Sequence, residues 1–251
     1  MTASTARART DSELLEANRR FYDEMWTDAR LVEPERFNTW PLVSALAAEA
    51  SLRLEVAPGL RPRLPIAGTH FVDISGPALS PLRQRGGRTV IGPISALPFQ
   101  DATFDLVCAL DIVEHVDDDE RALSELARVC MPGATLLLST PLHPSRWTSF
   151  DDFVGHRRRY EPHELLGKLA ANELVVERSA IFGMRPRSSR LVDVGMWWLT
   201  HERERAMRWY NRLMPIMLRF GKRLAFAPGA IDMHDVDEVL LVCRRLPGAR
   251  T

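Results

Sequence analysis

The chain has 251 residues, of which 45% are hydrophobic and 26% are charged, and its 33 basic residues balance 33 acidic ones. This length fits one domain with additions, and a formal net charge of zero argues against a general nucleic-acid binder. The N-terminal "MTASTARARTD" lacks the apolar core of a secretory signal, and no apolar run reaches the about 18 residues of a membrane span. We therefore expect a cytoplasmic protein without a membrane span.

The three cysteines, Cys108, Cys130 and Cys243, are spread along the chain, and each lies in an apolar run. There is no CxxC motif and no cluster of cysteine and histidine at metal-ligand spacing. The sequence therefore predicts buried free thiols and no metal site.

Two helices are predicted ahead of the first strand. Apolar residues recur at helical spacing in "SELLEANRRFYDEMW", which starts at Ser12, and a loop then leads to "LVSALAAEA", which starts at Leu42. Tyr22, Trp26 and Trp40 make this region rich in aromatic side chains. They fit either a lid over a ligand site or ordinary core packing.

From residue 53 onwards, short apolar strands alternate with helices, which predicts crossover connections and a parallel sheet covered on both faces. The predicted strands are "RLEVA", "THFVDIS", "RTVIG", "FDLVCAL", "ATLLLSTP", "LVVERSAIFG" and, near the C-terminus, "DEVLLVCRR". The predicted helices are "PALSPLRQRG", "DDDERALSELARVCMPG", stopped by Pro132-Gly133, and "PHELLGKLAANE". The predicted class is a Rossmann-like, doubly wound α/β sheet that is mostly parallel and has an antiparallel last strand.

The alternation ends at Gly183, and the segment before the last strand is rich in Arg, Trp and Met. We divide the chain into a helical lid (1–50), a core (51–183), a helical insertion (184–234) and a last strand with a tail (235–251). Residues 198–223 are basic with an apolar face, and they fit a substrate cap, a dimer interface, a membrane-surface helix or a helix packed on the sheet edge. A monomer and a homodimer both remain open.

Ligands of such sheets bind outside the carboxyl ends of the strands, so the turns that follow the strands carry the candidate site. In "EVAPGLRP" Gly59 lets the backbone approach a cofactor closely. Asp73 ends the next strand, where a carboxylate can accept both hydroxyls of a ribose. "GPISALPF" and "ALDIVEH" follow the third and fourth strands.

This series resembles the class I S-adenosylmethionine-dependent methyltransferases over about residues 50–183 and the last strand. The family's first motif is acid-x-Gly-x-Gly-x-Gly; here Glu55 and Gly59 match it, whereas Ala57 and Arg61 replace two glycines. In the family's adenine loop Pro93 stands where an acid is common. The resemblance implies S-adenosyl-L-methionine as cofactor, with contacts from Glu55, Ala57, Gly59, Asp73, Ile94, Ser95 and the backbone carbonyl of Leu110.

The resemblance also places the acceptor beside the turns after the fourth and fifth strands. His115 and His156 are the candidate catalytic bases, and each also fits a structural role. Candidate substrate-binding residues are Tyr22, Trp40, Arg158, Arg159 and Tyr160. The arginines of "GHRRRY" favour an acceptor with a carboxylate or phosphate, or else they hold the loop to Asp151 or Asp152.

The sequence thus predicts an enzyme that methylates a small molecule at oxygen or nitrogen, with no nucleic-acid partner. A cyclase or another group transferase that uses the same cofactor is the alternative. A non-catalytic module that has kept the fold is a third candidate.

Overall fold

The computed structural model describes residues 29–183 and 223–247 without a break. It also describes residues 16, 19, 20, 23, 26, 27, 197, 198, 201, 202, 205, 208, 209, 211 and 212. In this part of the chain the helices are α1 (Trp40–Glu49), α2 (Gly76–Gln84), α3 (Asp119–Val129), α4 (Ser149–Val154) and α5 (Pro162–Ala171). The strands are β1 (Arg53–Val56), β2 (His70–Asp73), β3 (Arg88–Ile91), β4 (Phe104–Leu110), β5 (Cys130–Pro141), β6 (Leu174–Ile181), β7 (Ala227–Pro228) and β8 (Glu238–Arg245).

The strands form one mixed sheet in the order β3-β2-β1-β4-β5-β8-β6-β7. β1 to β5 pair in parallel, and β8 is inserted antiparallel between β5 and β6. This confirms the predicted Rossmann-like sheet with its antiparallel last strand. The sequence order reverses between β1 and β4, so a crevice for ligands opens at the carboxyl ends of these two strands.

Helices cover both faces of the sheet, as the continuous apolar strands require. On one face Leu126 of α3 and Leu165 of α5 pack against residues such as Val107. On the other face Val43 of α1 packs with Cys108. All three cysteines are free and buried, as predicted.

Capping residues position the helices that flank the crevice. The Ser75 side chain accepts the Ala78 N–H at the start of α2, and Asp118 accepts the Arg121 N–H at the start of α3. Thr148 and Asp151 form a reciprocal capping box at the start of α4. These caps fix where each helix begins relative to the strand that precedes it.

Three details differ from the sequence prediction. α3 ends at Val129, and Cys130 to Gly133 begin β5, because Cys130 takes an extended conformation and pairs with Phe104. α1 belongs to the core although it lies within residues 1–50, since Val43 and Ala47 are buried against the sheet. β7 lies within residues 184–234 and extends the sheet at its edge.

None of the described helices has both the length and the apolar composition of a membrane span. Most of the 190–223 stretch and Tyr22 lie outside the described residues, so their predicted roles stay predictions. Asn211 is described, and its side-chain oxygen accepts the Arg30 N–H at 3.0 Å, which links this stretch to the N-terminal segment.

We predict that Leu136→Ala lowers the free energy of unfolding by about 2–5 kcal/mol, because it leaves a cavity in a fully buried position of central β5. Urea unfolding followed by circular dichroism measures this. Leu52→Ala is the matched control, since Leu52 is 39% exposed and should change stability by less than about 1 kcal/mol. Equal losses in the two variants would contradict the assigned core.

Candidate active site

The loop after β1 is shaped by the buried side chain of Glu55. Its carboxylate accepts the backbone N–H groups of Arg63 at 2.8 Å and Leu64 at 2.9 Å. Burial raises the pKa of Glu55 to about 7, and these hydrogen bonds oppose the rise. Glu55 therefore closes the loop on itself.

Two residues of this loop have a left-handed backbone. Gly59 has φ 53° and Ala57 has φ 52°, a region that glycine enters without the steric penalty of a Cβ. The Gly59 N–H donates to Asp73 Oδ2 at 3.1 Å, while Asp73 Oδ1 accepts the Ser75 N–H at 2.9 Å. The loop after β1 is thus bonded to the end of β2.

The indole of Trp26 covers this loop. A Cβ built on Gly59 would lie 2.3 Å from Trp26 Cζ2, so no other residue fits at position 59 with Trp26 in place. Arg61 lies over the same indole, with its guanidinium carbon 6.0 Å from the ring centroid. The N-terminal segment therefore touches the crevice through one aromatic side chain.

The loop after β3 is held by α3. Ile94 is buried in a short 3-10 turn (Ile94–Ala96), and the Ser95 carbonyl accepts Arg121 Nε at 3.2 Å. The Leu97 N–H donates to Glu125 Oε2 at 2.8 Å. Ile94 and Ser95 thus lie at the crevice on a fixed backbone.

Carboxyl groups collect where β4 ends. Leu110 is half-buried, and Asp111 after it accepts the hydroxyl of Ser139 at 2.5 Å. Burial, and then the charge of Asp111, raises the pKa values of Glu114 and Glu238 well above their usual range. Gly183, with φ 98°, leaves room for Glu238 Oε2, which would lie 2.5 Å from a Cβ at that position.

Two histidines meet beside these acids. The rings of His115 and His156 lie edge to face, with centroids 4.6 Å apart and an interplanar angle of 81°. His156 Nδ1 lies 2.9 Å from Asp151 Oδ1 and Nε2 lies 3.9 Å from Glu114 Oε1. Because an ionised carboxylate only accepts, Nδ1 of His156 carries a hydrogen and, in the neutral ring, Nε2 keeps a lone pair.

The two histidines have different electrostatic surroundings. Burial, with the nearby His156 as a smaller cause, lowers the pKa of His115 to about 3, so this ring is neutral at pH 7. Burial alone would raise the pKa of Asp151, but hydrogen bonds from His156, Arg159 and Thr148 hold it below its usual range. Asp151 is therefore a permanent anion next to His156.

The structure shows the fold of known methyltransferases. A methyltransferase of Thermotoga maritima, described as a possible histamine N-methyltransferase, aligns with 94% of this chain and 100% of its own at a TM-score of 0.58 and 15% identity. The [4+2]-cyclase SpnF aligns with 96% of this chain and 98% of its own, also at 0.58, with 16% identity. These similarities concern the fold.

Sequence comparison finds relatives and a family model that match part of the chain. Norajmaline N-methyltransferase of Rauvolfia serpentina is 40% identical over 53 residues, which are 21% of this chain and only 18% of that protein. The family model described as "Methyltransferase domain" matches residues 57–138. Together with the shared fold, this domain match supports a class I S-adenosylmethionine-dependent methyltransferase. The same findings support S-adenosyl-L-methionine as the cofactor.

The predicted cofactor residues lie at the ends of β1 to β4. Gly59 and Asp73 are in direct contact, whereas Ile94, Ser95 and Leu110 follow the neighbouring strands. The carboxylate of Glu55 accepts the backbone N–H groups of residues 63 and 64, so a structural role accounts for its burial. We assign to Glu55 the role of holding the shape of the loop after β1. Direct cofactor contacts from the other predicted residues stay proposals.

The predicted substrate residues have partners within the protein. Arg158 bonds Asp119 at 2.5 Å, and Arg159 is buried between Asp151 and Asp237 at 2.8 and 3.0 Å. The Tyr160 hydroxyl is buried and donates to Asp119 at 3.0 Å. These contacts favour a structural role for all three, and for Arg159 they match the alternative of an arginine that holds the loop to Asp151. Substrate binding by these residues stays a prediction.

Trp40 also has a structural position, since it is the first residue of α1 and packs against the core cluster that contains Val43. This favours core packing over a substrate contact. Sequence reasoning quoted "DIVEH" as a turn but gave no role to Asp111 or Glu114, and it missed Glu238. The available signal was two acids beside His115 in a turn that follows a buried strand.

We predict that Asp73→Asn weakens S-adenosylhomocysteine binding by at least tenfold, because a charge-assisted pair with a hydroxyl is worth about 1.5–3 kcal/mol. Burial raises the pKa of Asp73 to about 6. Its carboxylate, the form that accepts both ribose hydroxyls, is therefore lost as the pH falls through 6, and wild-type affinity should fall with it. Titration calorimetry at pH 7.5 and 5.5 measures both effects.

The Asp73→Asn variant should show a weaker pH dependence than the wild type over the same range, in which Glu55, with its pKa of about 7, also titrates. Glu164→Gln, at an exposed position of α5, is the control for charge removal and should match the wild type. Wild-type affinity in Asp73→Asn would remove this residue from the cofactor site.

Proposed function

We propose that the protein transfers the methyl group of S-adenosylmethionine to an oxygen or nitrogen atom of a small molecule. The observation that supports this proposal is that two features lie at the carboxyl edge of one sheet. They are the loop after β1, in which Gly59 is bonded to Asp73, and the imidazole of His156, which Asp151 orients in the connection that follows β5. Transfer from a sulfonium mainly needs alignment of the nucleophile, and an acceptor that carries a proton also needs somewhere to place it.

His156 is the residue we assign to the acceptor side. Asp151 fixes its ring through Nδ1, so that Nε2 faces Glu114 and His115. A neutral Nε2 can accept a proton as the acceptor attacks the methyl group. His115, with its lowered pKa, remains neutral and shapes the same wall.

The acceptor should present a neutral hydroxyl or amine. Arg158 and Arg159, which suggested an anionic acceptor, are paired within the protein, and Arg157 lies 3.5 Å from Asp117. The wall beside the histidines instead carries Asp111, Glu114 and Glu238. The curated relative reported above is by its name an N-methyltransferase, which supports an amine among the acceptors to be tested first.

Product analysis tests this function. Incubation with S-adenosylmethionine and a panel of hydroxyl and amine acceptors should yield S-adenosylhomocysteine and a product heavier by one methylene, detected by mass spectrometry. Methylthioadenosine, or a rearranged substrate with unchanged mass, would support the cyclase or group-transfer alternative, which the SpnF fold keeps relevant. Cofactor binding with no product from any acceptor would support the non-catalytic module.

We predict that His156→Ala lowers turnover about 100-fold or more and leaves cofactor affinity unchanged, as expected for a group on the acceptor side. Steady-state kinetics and calorimetry measure the two quantities. His163→Ala is the control, since His163 is exposed on α5. Near-normal turnover in His156→Ala would make the histidine structural, and a large loss only in His115→Ala would move the function to the turn after β4.

The N-terminal segment is proposed to close over the cofactor, because Trp26 already rests on Gly59. We predict that S-adenosylhomocysteine slows hydrogen exchange in the peptide that contains Trp26. Trp26→Ala should reduce this effect while the core strands keep their protection. Identical exchange with and without the cofactor would show that Trp26 is merely packed against the loop.

A further inference from the structure

The described part of the chain contains one group of histidine and carboxylate side chains with the composition of a cation site. Glu114 and His115 lie on the short turn after β4 (Val113–His115), and His156 lies in the loop between α4 and α5. One nitrogen or oxygen atom from each of the three lies within 4.8 Å of the others. The fold, and not sequence spacing, brings them together.

An orphaned oxygen points to a missing ligand. Glu114 is fully buried, and its Oε1 has no hydrogen-bond partner among the described residues, whereas Oε2 accepts Thr140 Oγ1 at 3.4 Å. Buried carboxylate oxygens without partners are rare because desolvation is costly. The same Oε1 is the atom that lies 3.9 Å from His156 Nε2.

His156 has the support that a metal ligand needs. Its Nδ1–H donates to the buried Asp151, and this leaves Nε2 as the donor atom toward Glu114. Metal-bound histidines commonly donate their other N–H to a carboxylate, which fixes the ring and increases its basicity. Asp111 adds a further negative charge near Glu114.

We propose that Glu114, His115 and His156 bind a divalent first-row transition-metal cation, with Zn²⁺ as the best match. Two imidazoles and one carboxylate suit Zn²⁺ and Fe²⁺, whereas Ca²⁺ and Mg²⁺ prefer oxygen ligands throughout. Tetrahedral ligands at about 2.0–2.1 Å from Zn²⁺ lie about 3.4 Å from one another. The donor atoms here lie within 4.8 Å of one another, so each would move toward the ion by up to about 1 Å on binding.

The consequence for catalysis rests on the proposed methyl transfer. A bound cation would lower the pKa of an acceptor hydroxyl that coordinates it and thereby release the proton without a protein base. His156 would then act as a ligand, and acceptors with a metal-binding hydroxyl would be preferred. Binding of the cation itself does not depend on this step.

Calorimetric titration of the full chain with Zn²⁺, after treatment with a chelator and dialysis, tests the proposal. We expect one saturable site in the wild type, weakened at least tenfold by the near-isosteric Glu114→Gln and by His115→Ala. His163→Ala, which removes an exposed histidine, should bind like the wild type. The three cysteines are buried, so they offer no competing thiol site on the native surface.

A thermal shift serves as a second measurement if a variant folds poorly, because a ligand that binds only the native state raises the melting temperature. The chelated wild-type protein should therefore melt at a higher temperature after addition of Zn²⁺. The absence of saturable Zn²⁺ binding and of any thermal shift in the wild type would overturn the proposal. Wild-type affinity for Zn²⁺ in both Glu114→Gln and His115→Ala would also overturn it.

S-adenosylhomocysteine binding is measured in the same samples to separate the two proposals. Loss of Zn²⁺ binding in Glu114→Gln with unchanged cofactor affinity supports the cation site. No cofactor binding by the wild type would contradict the methyltransferase activity and leave the Zn²⁺ result to stand by itself.

Discussion

The buried carboxylate of Asp151 is the contact on which the arrangement of His156 and the loop before α5 depends. It accepts hydrogen bonds from Thr148, His156 and Arg159, and so joins the cap of α4 to the loop before α5. Arg159 continues the network to Asp237, just before β8. One anion thereby fixes a loop, orients a histidine and ties both to the antiparallel strand inserted beside β5.

Buried carboxylates also hold the loop after β1. Glu55 binds two backbone N–H groups of its own loop, and Asp73 binds the N–H of Gly59. In both places a carboxylate replaces water as the partner of backbone or side-chain donors, which explains how irregular loops stay ordered beside an open crevice. The carboxyl edge of the sheet is thus held from two sides.

The fold was predictable because it rests on local signals. Apolar strands that alternate with capped helices predict a parallel sheet, and the order of Glu55, Gly59 and Asp73 along the chain places the cofactor loop. The ends of helices and strands were harder to predict where local signals conflict. Pro132-Gly133 predicts the end of a helix at that point, but the helix ends at Val129 because Cys130 pairs with Phe104 as part of β5.

The surroundings of His115 and His156 could not be predicted in the same way, because the contacts there join residues far apart in sequence. "GHRRRY" shows three arginines, yet only the fold reveals that Asp119, Asp151 and Asp237 neutralise two of them. Glu114, adjacent to His115, gives no spacing signal for a cation, because α3, β5 and α4 lie between it and His156 in the chain. Side-chain pairing across a sheet edge is a property of topology.

The placement of β7 has a consequence for how this protein can change. The chain leaves the sheet after β6 and returns to pair with the same strand, with Ser179 opposite Ala227. The intervening segment therefore starts and ends at neighbouring points on one rigid edge. Doubling the length of such a loop adds only about 0.6 kcal/mol of closure entropy. A change in the length of this segment therefore leaves the pairing of β6 with β7, and the strands beyond them, in place.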